Sequence, residues 1–192
     1  MREWIPVPGS VKARLVGEAV KAFSARGYAG VAVTELAHAA GVTTGALYHH
    51  FGSKLGLYGV VRDDLERRVL DRMEGAAAAV AGDPGGMARA ALLVGFDTAV
   101  RLGAARLLGE ADPRGVPCPV AGFLSRLLAG EPESLPAVLA AAWRRALQRA
   151  AEGEAAAADA RLALEWILGA RGTSRPRPGR RGGDRPSQPS WR

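Results

Sequence analysis

The stretch TELAHAAGVTTGALYHHFGSK, residues 34–54, carries the reading on which the fold turns. It holds all three histidines of the chain, His38, His49 and His50, together with Tyr48, and it ends on Lys54. The rest of the sequence is mostly Ala, Leu, Gly and Arg. Within the stretch, the spacing is that of two short helices meeting at a tight turn. Ala37 is small enough to let one helix approach the next. Four residues later Gly41 can leave the helix through a left-handed conformation, which glycine adopts at low cost. Val42 then anchors the turn, and the Thr43 hydroxyl caps the second helix. Leu36, Leu47 and Phe51 fall at helical spacing on the inner side. Helices are therefore predicted over 34–40 and 44–51.

The outer face of the second helix consists of Thr44, Gly45, Tyr48, His49 and His50. Glycine in a helix costs about 1 kcal/mol relative to alanine. A loss of that size makes sense where the helix start must lie against a close surface, such as the wall of a DNA major groove. Tyr48 and His50 can donate hydrogen bonds to phosphate oxygens. Lys54 adds a cation in the first turn of the next helix, where free backbone N–H groups already favour an anion. The polar variety of the stretch is read as a DNA-contacting surface. A metal site built from His38, His49 and His50 is not expected, because adjacent histidines diverge by about 100° on a helix and no Cys, Asp or Glu completes a ligand set.

Working outward, residues 10–26 form an amphipathic helix through Val11, Leu15, Ala19 and Phe23, with Ser10 as N-cap and Gly27 as stop. Ser53 caps a longer helix running to about residue 80, before Gly82, Asp83 and Pro84. Further helices are predicted over about 85–108, 118–129, 134–152 and 155–169. No alternating strand pattern occurs, so the fold class is all-α. Residues 171–192, with seven Arg, four Pro and four Gly, are expected to be disordered.

Of the net charge of +7, residues 171–192 supply +6 and residues 1–54 supply +3, which leaves 55–170 at −2. A net positive excess at the two ends suits polyanion binding by the N-terminal module. Cys118 is the single cysteine, which excludes an internal disulfide and suits a reducing cytosol. It lies between Pro117 and Pro119 with no histidine partner outside the DNA-facing module, so a catalytic thiol is not expected. No run of about 18 apolar residues exists to span a membrane, and MREWIPVPGS does not read as a secretory leader. A cytoplasmic protein is expected, with no cofactor and no metal.

The run AFSARGYAGVAVTELAHAAGVTTGALYHHFGSK closely resembles the N-terminal domain of TetR-like (tetracycline-repressor-like) regulators. The matching features are the RGY after the first helix, the A-x-x-x-G-V turn, the G-x-L-Y-x-H-F helix and the S-K that opens the fourth helix. The resemblance covers roughly residues 10–58. It implies a helix-turn-helix from about Ala32 to Phe51, with Tyr48, His50 and Lys54 on phosphates and Thr34, Thr44, Gly45 and His49 nearest base edges. Where the family often has Ser or Thr, this chain has Ala32, so the cap is assigned to Thr34. The implied organisation is an N-terminal arm over 1–9, a DNA-binding domain over 10–54 and a helical ligand-binding and dimerisation domain over 55–170.

The resemblance implies a repressor that binds palindromic operator DNA as a homodimer and is released by a small-molecule effector. Candidate lining for the effector cavity is Phe96, Asp97, Phe123, Trp143 and Trp166. Asp97 and Arg101 stand i,i+4 as a helix-surface pair. In the family a helix like 155–169 is commonly followed by one more, so a missing last helix, and a weakened dimer, is expected. An enzyme using the middle domain is the first rival. It is disfavoured because 55–170 holds no histidine and no nucleophile–base pair. A general nucleic-acid-binding protein acting through the arginine tail is the second rival, and it leaves the patterned turn unexplained.

Overall fold

A computed structural model describes residues 9–80 and 82–169. Most of the expected N-terminal arm and the whole arginine-rich tail lie outside the described residues. Among the described residues every regular element is a helix. These are α1 (Val11–Arg26), α2 (Val33–Ala39), α3 (Thr44–Phe51), α4 (Lys54–Ala79), α5 (Pro84–Arg101), α6 (Ala105–Gly109), α7 (Pro119–Leu127), α8 (Leu135–Ala150) and α9 (Glu154–Gly169). None of them is long and apolar enough to cross a membrane.

The helix starts are set by side-chain caps. Ser10, Thr43 and Ser53 each accept the backbone N–H three residues ahead, at 3.1, 3.2 and 2.9 Å. Asp83 caps α5 by accepting the N–H groups of Gly85 and Gly86. α1, α2 and α3 close around Leu15, Ala19, Phe23, Leu36 and Leu47, all buried. The first turns of α4 seal this cluster through Leu57 and Tyr58, whose ring meets Phe23 edge-on at 5.1 Å. The same helix then turns Leu65, Val69, Met73 and Ala77 onto α5. Close approach there needs a glycine, because a Cβ on Gly95 would stand 2.7 Å from the Met73 side chain. α8 and α9, joined at Gly153, pack on each other and on α5.

Among the described residues, the region after Asp83 contains five helices where the sequence pattern gives four. The predicted 85–108 segment is divided after Arg101 by Gly103, whose φ is +66°. The N–H of Ala104 returns to the Ala99 carbonyl at 2.9 Å and that of Gly103 to Val100 at 2.9 Å. This is the glycine-terminated motif that also ends α2 at Gly41. The helix expected to be missing would follow 155–169, a place outside the described residues, and the last two described helices, α8 and α9, pack on each other.

α4 is fastened to α6 by one buried cation. Arg62, 4% exposed, donates to the Tyr58 hydroxyl at 2.9 Å, to the Leu107 carbonyl at 2.7 Å and to the Glu110 carbonyl at 3.2 Å. Its Nε donates to Glu66 at 2.8 Å and lies 3.5 Å from Asp112. Arg114 extends the network by donating to Asp112 and Asp63, both at 2.7 Å. Burial pushes the Asp112 carboxyl up, but hydrogen bonds from Arg114 and the charges of Arg114 and Arg62 outweigh it and hold it below the usual carboxylate range.

Candidate nucleic-acid interface

The turn between α2 and α3 is built as its residue types require. Gly41 takes φ +63°, its N–H donates to the His38 carbonyl at 3.0 Å, and the Val42 N–H donates to Ala37 at 2.9 Å. Leu36, Ala37 and Leu47 are buried beneath the turn. The Thr43 hydroxyl oxygen accepts from Ala46, which leaves its hydrogen for an outside acceptor.

α3 presents its polar side chains outward. Tyr48 is 51% exposed, and His49 and His50 are exposed with their rings edge-to-face at 5.1 Å. Thr44 is half-buried beside them, and Thr34 is exposed on α2. Lys54 begins α4 with its ammonium 4.2 Å from the centre of the Tyr28 ring, a cation–π contact that fixes the charge at the edge of this surface. Lys12, which the sequence reading passed over, places its ammonium 5.9 Å from the Phe51 ring at the end of α3. Only the three-dimensional return of α1 against α3 brings it there.

Gly45 is the most informative position. A Cβ added to it would meet nothing closer than the Thr43 hydroxyl oxygen at 3.7 Å. Among the described residues nothing packs closely enough to require glycine there, which leaves the helix start open to a close outside surface. Gly45→Ala is expected to raise stability by up to about 1 kcal/mol through helix propensity. It should also weaken duplex binding about tenfold, roughly 1.4 kcal/mol. Thermal melts and fluorescence anisotropy on the same preparation check the pair of effects.

The capping expectation for Thr34 is corrected. α2 starts one residue earlier, at Val33, with Ala32 as N-cap. Alanine has no side-chain acceptor, and Glu35 reaches back instead to accept the Ala32 N–H at 3.4 Å. Glu35 is itself held by Arg26 at 2.9 Å. Thr34 is therefore an exposed residue of the first helical turn, with its hydroxyl free of the capping role.

Of the cavity candidates, Phe96, Phe123 and Trp143 share the buried core, while Asp97 and Trp166 are not part of it. Phe96, Phe123 and Trp143 are buried, and the Trp143 indole N–H donates to the Leu92 carbonyl at 3.1 Å. Trp143 borders a void of about 10 Å³, room for a single water at most. Asp97 pairs with Arg161 on α9 at 2.7 Å, not with Arg101, whose guanidinium donates to the Thr98 hydroxyl at 3.1 Å. Trp166 is 76% exposed. α9 buries Ala160 and Leu164, and two residues beyond Leu164 a helix points the other way. Among the described residues no group of three or more His, Cys, Asp or Glu could hold a metal ion.

Residues 15–61 match the family of bacterial regulatory proteins, tetR family. A TetR-family transcriptional regulator from Pectobacterium atrosepticum is 27% identical, with a TM-score of 0.55 over 85% of this chain and 96% of its own. A transcriptional regulator from Rhodococcus sp. Rha1 is 24% identical, with a TM-score of 0.64 over 84% of this chain and 95% of its own. A tetR-family transcription regulator from Shewanella sp. PV-4 is 20% identical, with a TM-score of 0.62 over 83% of this chain and 96% of its own. The last two likenesses concern the fold.

Proposed function

We propose that this chain, whose residues 15–61 match the tetR family of bacterial regulatory proteins, is a TetR-family regulator, a cytoplasmic repressor that binds palindromic operator DNA as a homodimer and is released by a small molecule. Residues 10–54 act as the DNA-binding domain and 55–170 as the effector and dimerisation domain. The observation that carries the reading is Gly45, a helix-weakening residue on an exposed face where nothing among the described residues packs closely enough to require it. Tyr48, His50 and Lys54 hold the phosphates around it, while Thr34, Thr44 and His49 face base edges.

One helix-turn-helix makes few contacts, and non-specific affinity alone gives a Kd of about 10⁻⁴–10⁻⁶ M. Two copies about 34–36 Å apart, or a multiple of that, engage successive major grooves. The face that supports pairing lies on α8 and α9, where Leu162, Trp166, Ile167 and Val138 stand exposed. The groove between them carries Arg145 and Arg149 on α8 and Asp159 on α9, so a two-fold arrangement can set opposite charges across the contact.

Gel shifts with the DNA upstream of the gene test the function. Specific binding should survive competitor DNA and protect a palindrome, and loss of the shift under competitor would refute the reading. The double variant Leu162→Glu and Trp166→Glu is expected to run as a monomer in light scattering at micromolar concentration and to lose the shift, while keeping its helical content.

A further inference from the structure

We infer that the open cleft between the second half of α4 and the end of α5 binds the acidic head of a small amphiphilic molecule, an inference that rests on the proposed ligand response. The void beside Trp143, about 10 Å³, has no room for an effector. The cleft offers about 790 Å³, within the range of about 300–1,000 Å³ that small-molecule sites occupy.

Its chemistry is that of an anion site with an apolar floor. Arg68 and Arg72 line it from one helical turn of α4 to the next, and Arg101 faces them from α5. Asp71 is the one carboxylate in the lining. Arg68 is oriented by Asp64 at 2.7 Å, and Arg101 by the buried Thr98 hydroxyl at 3.1 Å. Arg72 has no hydrogen-bond or ion-pair partner among the described residues. Guanidinium groups so placed, two of them without a carboxylate, suit bidentate capture of a carboxylate or phosphate. Val94 and Leu102 complete the lining with hydrocarbon, and Leu102 is exposed. A ligand with one acidic group on an apolar body satisfies both halves.

The position also couples to the DNA-binding face. α4 runs unbroken from Arg72 back to Lys54, and Leu102 is followed at once by the Gly103 turn into α6. α6 carries the carbonyl of Leu107 that Arg62 on α4 holds. A molecule touching both walls of the cleft therefore bears on both partners of that clasp.

The test is calorimetric titration of the full chain with octanoate, octyl phosphate, octanol and octylamine below their micellar concentrations. Saturable binding by octanoate or octyl phosphate is expected, and which of them binds tells a carboxylate site from a phosphate site. Arg72→Gln with Arg101→Gln should weaken that binding at least tenfold, with an unchanged thermal melt. Equal acid affinity in wild type and double variant overturns the proposal, as does binding of neither acid to the wild type. A gel shift on the same proteins separates this from the function itself. The double variant should bind upstream DNA as the wild type does, and a wild type that binds an acid in the cleft but no DNA sinks the repressor reading alone.

Discussion

Arg62→Ala is expected to lower the unfolding free energy by about 3–5 kcal/mol, the cost of leaving a buried charge network without its partner. The residue looks ordinary in sequence, one of several arginines in VVRDDLERR. In the fold it satisfies the Tyr58 hydroxyl, the carbonyls of Leu107 and Glu110, and the carboxylate of Glu66. Alanine would leave those acceptors buried with no donor, and each lost buried partner costs about 1–3 kcal/mol. Arg114 keeps its hold on Asp112, which limits the damage on that side. For a domain of this length the loss corresponds to a fall in Tm of about 10 °C. Urea unfolding followed by circular dichroism measures it, and a loss below about 1 kcal/mol would mean that the network does not fasten α4 to α6.

The second large effect concerns recognition. Replacing Tyr48 and Lys54 together with alanine should weaken operator binding by at least a hundredfold, since in each protomer a charge-assisted hydrogen bond is worth about 1.5–3 kcal/mol and a neutral one about 1. The salt dependence should change too. Removing one phosphate-neutralising lysine from each protomer lowers the slope of log K against log salt by about 2. Stability should hardly move, because the contact of Lys54 with Tyr28 is worth about 1 kcal/mol or less at an exposed site. Anisotropy titrations at several salt concentrations separate this from a loss of folding. Unchanged affinity in a folded double variant would remove these two residues from the interface.

What could be read from the sequence, and what could not, divides along the range of the interactions involved. Ser10, Thr43 and Ser53 were legible as caps, and Gly27 and Gly41 as helix stops, because a cap acts within three residues of its own position. The outward face of α3 followed from periodicity over a single short helix. The Gly103 break was missed because LGAARLLG continues the apolar pattern across it, without a proline or a polar cluster to mark the turn. Arg62 was missed because two of its acceptors, the carbonyls of Leu107 and Glu110, lie more than forty residues away. The aromatic candidates divide for a related reason. Amphipathicity locates an apolar stripe but does not say whether a neighbouring helix or a second copy covers it, so Trp143 and Trp166 looked alike while one is buried and the other exposed.

The placement of Arg62 makes α4 a beam with its fulcrum inside the span. At 1.5 Å per residue, Lys54 stands about 12 Å from that fulcrum on one side and Arg72 about 15 Å on the other. Were the beam to rock there, a displacement of about 1 Å at the arginine-lined end would swing the other end the opposite way by about 0.8 Å. Gearing so close to one-to-one means that the travel needed to unseat a phosphate contact must be produced almost in full by whatever occupies the far end.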